Sequence, residues 1–166
     1  MSTTVADKFT LIKSIAGKFE SDRGPRPSGY AQLALRLCPN GVDKRGKTFT
    51  LSLQSEGIWK IRPAKEYAEN EYYKAEQQVK AFMPTILKGI QEGIAAALAN
   101  YLEKPLVGIE VLVTQITVDP VYSTEKAFYF AAKTVVEQIL TEAKARNFIQ
   151  PREGRLLSVS TELSGT

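Results

Sequence analysis

The chain has 166 residues, one cysteine and no histidine, and 43% of its residues are hydrophobic and 24% charged. This length predicts one domain, and the lack of histidine excludes histidine-activated nucleophiles and the commonest metal ligand. The single cysteine, Cys38, excludes an internal disulfide framework and thiolate zinc sites. No apolar run is long enough for a membrane span, and the first residues lack the apolar core of a signal peptide. We therefore expect a cytoplasmic protein with no catalytic residues, metal site or cofactor.

The net charge of +4 is unevenly distributed. Residues 1–62 contain 11 Lys/Arg and 5 Asp/Glu, whereas residues 63–166 contain 11 and 13. A basic first third suits contact with nucleic acid, and it equally suits an ordinary solvated surface of mixed charge. Charge alone leaves both interpretations open.

The first half of the chain is predicted to form three strands after a loose tail over residues 1–8. Apolar residues alternate from Phe9 to Phe19, which predicts one long first strand. A loop over 21–29, rich in glycine and proline, ends it. Tyr30 to Leu37 and Phe49 to Leu53 show the same period of two and predict the second and third strands.

The connection between the second and third strands matches a phosphate-binding motif. Gly41 to Thr48 reads G-x-x-x-x-G-K-T. A working phosphate loop opens a helix, whose N-terminus supplies the amides that hold the phosphates. Here the following residues alternate as a strand does, so we interpret Gly41–Thr48 as a hairpin loop and keep a nucleotide-binding enzyme as a minor alternative.

Two helices are predicted next. Residues 68–82 carry one apolar stripe at helical spacing. Pro84 suits the first position of a second helix, in which Ile86, Ile90 and Ile94 form a buried stripe. Gly89 and Gly93 share a face of that helix, and we interpret them as a close approach of the helix backbone to the sheet.

The last third is predicted to form a strand and a helix. Leu106 to Val113 alternates as a strand does. Ser123 is the predicted N-terminal cap of the third helix, and Asn147 its C-terminal cap. Residues 152–166 are expected to form a C-terminal extension with at most one short strand, 156–159.

Several of these segments resemble domain IV of translation elongation factor G. Pro84 to Glu92 is similar to the family's "P-x-x-x-K-G-I-Q-E" helix, and the strand from Pro105 to its "P-V-x-x-V" strand. Residues 123–128 resemble its "S-x-E-x-A-F" helix start, and 30–39 its second strand. The resemblance covers roughly residues 9–151, with 68–82 as an inserted helix.

This resemblance implies an α+β fold with a single mixed sheet, helices on one face and the order β-β-β-α-α-β-α. In the family the strand–helix–strand unit has the uncommon left-handed crossover, opposite to the usual rule. The inserted helix 68–82 is interpreted as packed on the sheet, and a partner-binding helix is the alternative.

The resemblance also locates two loop tips, which in the family reach the ribosomal decoding site. Arg23 takes the place of a polar glutamine, and Arg26 lies in a stretch that is glycine-rich in the family. In the second loop "Y-H-D-V-D-S" becomes residues 118–123, so that Asp119 replaces the histidine and Tyr122 the aspartate before the serine. Arg23, Arg26, Asp119 and Tyr122 are therefore the candidate RNA-binding residues, with arginines on phosphates and the tyrosine ring on a base.

The function we expect is a non-catalytic, free-standing relative of this domain that binds RNA or the ribosome. It would lack GTPase and translocase activity, because the sequence supplies no GTPase domain. The alternative is a protein-interaction module, with a homodimer as one version, that uses the helix 68–82.

Overall fold

The computed structural model describes residues 8–21, 30–39, 49–55, 59–61, 69–100, 106–120 and 122–151. Eight strands and two helices lie in these ranges. In chain order they are β1 (Phe9–Leu11), β2 (Ile15–Ser21), β3 (Ala31–Pro39), β4 (Phe49–Leu53), β5 (Trp59–Ile61), α1 (Glu69–Asn100), β6 (Leu106–Val107), β7 (Ile109–Val118), α2 (Glu125–Ala145) and β8 (Ile149–Pro151).

The main sheet is mixed and is organised around β7. Its order is β2-β3-β7-β4, and β5 continues the β4 edge by pairing with the later part of β7. β2 and β3 are antiparallel, as are β3 and β7, whereas β4 and β5 run parallel to β7. Alternate residues of β3 are buried, from Ala31 to Leu37, so one face of this sheet is covered. The α+β class and the mixed sheet are confirmed.

A β-bulge changes the phase of β7. Ala34 is opposite Gln115 while Leu35 is opposite Val113, so Thr114 is the extra residue. Before the bulge Val111 and Val113 are buried, and after it Ile116 and Val118 are. A bulge bends its strand and re-aims the residues that follow. The end of β7 is thereby directed into the connection to α2.

A second, smaller sheet departs from the predicted single sheet. Its order is β6-β1-β8, with β1 parallel to β6 and antiparallel to β8. The predicted long first strand is therefore wrong in one respect, since it is divided at residues 12–14 into β1 and β2. A hydrogen bond stabilises this break, because the Ile12 amide donates to the Phe148 carbonyl at 2.8 Å. The chain leaves one sheet there and enters the other.

The two helices predicted over 68–82 and from Pro84 are one continuous helix, α1, and this corrects the expected α-α order. Pro84 lies in its interior. A proline there removes one hydrogen bond and typically costs about 3 kcal/mol or more. The buried stripe continues across it, with Val79 on one side and Ile86, Ile90 and Ile94 on the other. Burial of a continuous apolar face offsets the local cost.

Gly89 and Gly93 face α2, and the expected close approach to the sheet is wrong. A Cβ at Gly89 would lie 2.6 Å from the Glu125 carbonyl oxygen. A Cβ at Gly93 would overlap the Tyr129 carbonyl oxygen and lie 2.9 Å from the Ala132 Cβ. The two glycines thus let the helix backbones approach each other and fix the start of α2 against the middle of α1.

The core is formed between the helices and the covered sheet face. Gly17 in β2 allows Val135 and Ile139 of α2 to pack directly on the strand. α2 ends at Ala145 with Arg146 as its C-cap, one residue before the predicted Asn147. Asn147 follows with a φ of 61° and donates to the Lys144 carbonyl at 3.1 Å, the left-handed turn common just after a helix. No helix in the described ranges is long and apolar enough to cross a membrane.

Three expectations on the fold are not tested. α1 lies between β5 and β7, which run parallel in the main sheet, and the left-handed crossover implied for that unit stays a prediction. The same holds for the domain limits 9–151. Residues 1–7 and the extension 152–166, with its predicted strand 156–159, lie outside the described residues.

We expect the substitution Gly93→Ala to destabilise the fold even though alanine favours a helix by about 1 kcal/mol. The neighbours of the new methyl group are mainly backbone atoms, which cannot rotate away, so overpacking costs about 3 kcal/mol. Urea unfolding should therefore show a net loss of about 2 kcal/mol. Glu92→Ala, at an exposed position of the same helix, is the control and should change stability by less than about 0.5 kcal/mol. A Gly93→Ala variant as stable as wild type would contradict the close helix contact.

Candidate nucleic-acid interface

Two connections begin at the end of the main sheet where β7 finishes. Ser21 pairs with Ala31, and Gln32 pairs with Thr117. The residues that flank the β2–β3 connection, 22–29, therefore lie beside the start of the β7–α2 connection, 119–124. We call this end of the sheet the tip. Arg23 and Arg26 belong to the first connection, and they lie outside the described residues.

Hydrogen bonds join the second connection to Tyr30, the residue that follows the first. The Tyr30 amide donates to the Tyr122 carbonyl at 2.9 Å. The Ser123 hydroxyl donates to the Tyr30 carbonyl at 2.7 Å, and its oxygen accepts from the Asp119 amide at 2.8 Å. Ser123 thus bridges two segments far apart in sequence. The start of β3 and the second connection are thus held together by hydrogen bonds.

Asp119 and Tyr122 occupy opposite environments within the second connection. Asp119 is 4% exposed, and its Oδ1 accepts from the Tyr122 amide at 3.0 Å. Its carbonyl accepts from the Ser123 amide at 2.9 Å. The Asp119 side chain therefore shapes the turn from inside. Tyr122 is 38% exposed and presents its ring to solvent at the tip.

Thr124, and not the predicted Ser123, caps α2. The Thr124 Oγ1 accepts from the Ala127 amide at 2.9 Å, and its backbone is extended, as an N-cap requires. Ser123 is unavailable because its hydroxyl bonds Tyr30 and Asp119. The prediction was wrong by one residue because either hydroxyl can cap, and only the tertiary partner decides between them.

A cleft of roughly 340 Å³ lies behind the second connection. Gln78, Val79 and Phe82 of α1 form one wall, and Val118 to Pro120 with Ser123 form the other. The stretch predicted as an inserted helix thus reaches the tip. Its apolar residues Ala75 and Val79 are buried in the domain, in agreement with the packing interpretation. Partner binding through its outer face stays a prediction.

The described residues contain no cluster of three or more acidic, cysteine or histidine side chains that could hold a metal ion. The motif Gly41–Thr48 also lies outside the described residues. The segment directly after it is the strand β4, which pairs with β7. A phosphate loop needs a helix N-terminus at that position. The strand assignment of 49–53 disfavours nucleotide binding there. The hairpin interpretation is nevertheless wrong, because β7 lies between β3 and β4 in the sheet and the two strands that flank residues 40–48 do not pair with each other.

Sequence reasoning missed Tyr30 and Ser123 as organisers of the tip. Tyr30 was counted only as the start of a strand, yet it is 1% exposed and both its amide and its carbonyl bond the second connection. A local signal existed only for the turn itself, because an aspartate followed by a proline favours turn initiation. Nothing local points to Tyr30, since its partners lie about ninety residues away.

Comparison with known proteins gives one family. The family model of elongation factor G, domain IV, matches residues 52–144, more than half of the chain. No curated protein matches the chain. The solved structures that resemble it include a crystal structure of a protein from Thermus thermophilus, with 21% identity and a TM-score of 0.46. The match covers 86% of this chain and 18% of that one, so the chain spans a small part of the length of that protein.

Ser123→Ala tests the junction at the tip. The substitution leaves the Tyr30 carbonyl and the Asp119 amide without their shared partner, which should cost about 1–3 kcal/mol in urea unfolding. Thr141→Ala is the control, because its hydroxyl is exposed on α2 and bonds only within the helix. We expect a change under about 0.5 kcal/mol for Thr141→Ala. Equal effects of the two substitutions would show that the bridge does not hold the tip together.

Proposed function

Because this chain belongs to the elongation factor G domain IV family, we propose that its tip binds structured RNA and that the ribosome is the source of that RNA. The observation that carries the proposal is the hydrogen-bonded junction of Tyr30, Asp119, Tyr122 and Ser123. This junction holds the residue that follows the first connection against the second connection. Two loops that act together on one RNA need a common, rigid base of this kind.

The residues at the tip have different roles in this proposal. Arg23 and Arg26 bind phosphates, since a guanidinium offers paired donors to phosphate oxygens. Tyr122 stacks its exposed ring on an unpaired base. Asp119 is a positioning residue, because it is buried and holds the Tyr122 amide. A net charge of +6 over residues 1–62 would attract RNA towards the first connection.

The proposed role is an accessory, non-catalytic one in the cytoplasm. Binding is the activity that we assign to these 166 residues, with neither GTPase nor translocase activity. The absence of histidine supports this, since general acid–base and nucleophilic catalysis use that side chain most often. The residues at the tip that differ from the family pattern are those we propose to set the RNA preference.

The experiment is filter binding to structured ribosomal RNA over a series of salt concentrations. Each lost phosphate contact should reduce the slope of log affinity against log salt by about 0.7–0.9. We therefore expect Arg23→Ala/Arg26→Ala to weaken binding and to flatten the slope by about 1.4–1.8.

The control is Lys13→Ala/Lys144→Ala, which removes the same charge at exposed positions near the opposite end of the sheet. It should retain nearly the full slope. Two results would contradict the proposal: wild type without salt-dependent affinity, or the control pair losing as much binding as the arginine pair.

A further inference from the structure

The outward side of α2 carries an aromatic and basic surface that begins next to the tip. Lys126, Phe130 and Lys133 recur at spacings of four and three, so they lie on one side of the helix. The buried residues of α2 lie on the other side, from Ala127 to Ala143. We call these three residues the α2 stripe.

Phe130 is an unusual residue for a helix surface. It is 43% exposed, and with Tyr122 it is one of four large hydrophobic side chains exposed in the described part of the chain. Tyr129 contacts its ring edge to face, with centroids 5.5 Å apart. The ring therefore has an aromatic neighbour that supports it and is still substantially exposed to solvent.

Lys126 is placed against local preference. It lies in the first turn of α2, where the helix dipole favours an acidic side chain. Its ammonium lies 5.8 Å from the centre of the Phe130 ring, and it forms no ion pair with a described carboxylate. The Phe130 ring is thus its cation–π partner, and no described carboxylate neutralises its charge. Positions that break a local rule are expected at functional or strained sites.

The charge of the stripe is greatest near the tip. Lys133 pairs with Glu137 at 3.6 Å, so its charge is partly compensated by the next turn. Lys126 has no such carboxylate partner among the residues that the structure describes, and it is the nearer of the two to Tyr122. The Lys126 ammonium and the exposed rings of Phe130 and Tyr122 therefore lie near the start of α2, where Glu125 is the acidic residue of the first turn.

From this arrangement we propose that an unpaired RNA strand leaves the tip along α2, stacks a base on Phe130 and places phosphates near Lys126 and Lys133. Single strands are bound by this combination of aromatic platforms and cationic side chains. The inference rests on the proposed function and extends it, because it names the ligand of the surface beyond the two connections as single-stranded RNA.

Two probes separate the modes of binding: a labelled oligouridylate of about ten nucleotides and an RNA duplex of about 16 base pairs. Phe130→Ala should weaken oligouridylate binding about 5- to 100-fold, as the loss of one stacked base does. It should affect the duplex much less. Phe130→Tyr keeps the ring and should restore binding. Because Phe130 is substantially exposed, both variants should retain the wild-type unfolding midpoint.

The contribution of the Lys126 charge is tested by comparing it with Lys144, an exposed lysine at the other end of the same helix. Lys126→Ala should flatten the salt slope for oligouridylate by about 0.7. Lys144→Ala removes an exposed lysine in the last turn of α2, about 27 Å away at 1.5 Å per residue, and should leave the slope unchanged. Ultraviolet cross-linking of the wild-type complex should attach uridine to the tryptic peptide 127–133.

The outcomes distinguish this inference from the proposed function. Suppose that Phe130→Ala and Lys126→Ala bind oligouridylate as wild type does, while Arg23→Ala/Arg26→Ala binds ribosomal RNA more weakly. This result would overturn the proposed strand along α2 and leave the proposed function standing. A wild-type protein that binds neither the two probes nor ribosomal RNA would overturn both the inference and the proposed function. A concentration-dependent dimer in sedimentation that Phe130→Ala abolishes would assign the ring to contact with a second copy, and this too would overturn the inference.

Discussion

The Ser123 hydroxyl forms two bonds on which the arrangement of the tip depends. It accepts from Asp119 within its own connection and donates to Tyr30 at the start of β3. Several features must be in place for these bonds to form. The bulge at Thr114 directs the end of β7, and Gly89 and Gly93 bring the start of α2 close to α1. The tip is thus a product of sheet register and helix packing together.

The elements with a strong period could be predicted from the sequence. The strands around Leu33 and Val111 and the helix stripe through Ile90 appear where alternation and helical spacing put them. The alternation of residues 49–53 was also a better guide than the phosphate-loop pattern that precedes them, because this segment is a strand and not the helix such a loop requires. Recognition of the family added the mixed sheet, because local patterns do not contain the pairing of strands.

The misjudged positions share one physical cause. Local rules predicted a helix start at Pro84, yet the helix continues through this proline because its buried face is continuous on both sides. Local rules also predicted that Gly93 contacts the sheet, whereas Gly93 contacts α2. The break at Ile12 and the role of Tyr30 depend on partners that are distant in sequence. Of the candidate site residues, Tyr122 is exposed and Asp119 buried, a difference that residue type alone does not give.

We propose that the two connections at the tip and the adjacent side of α2 form the RNA-binding surface of this domain. Hydrogen exchange of the full chain with and without ribosomal RNA tests it most directly. We predict slower exchange on RNA addition in peptides covering residues 22–31 and 119–133, with little change at 40–48 and along α1 from Pro84 to Ala95. Slower exchange centred on α1 and residues 40–48, with none at the tip, would contradict the claim.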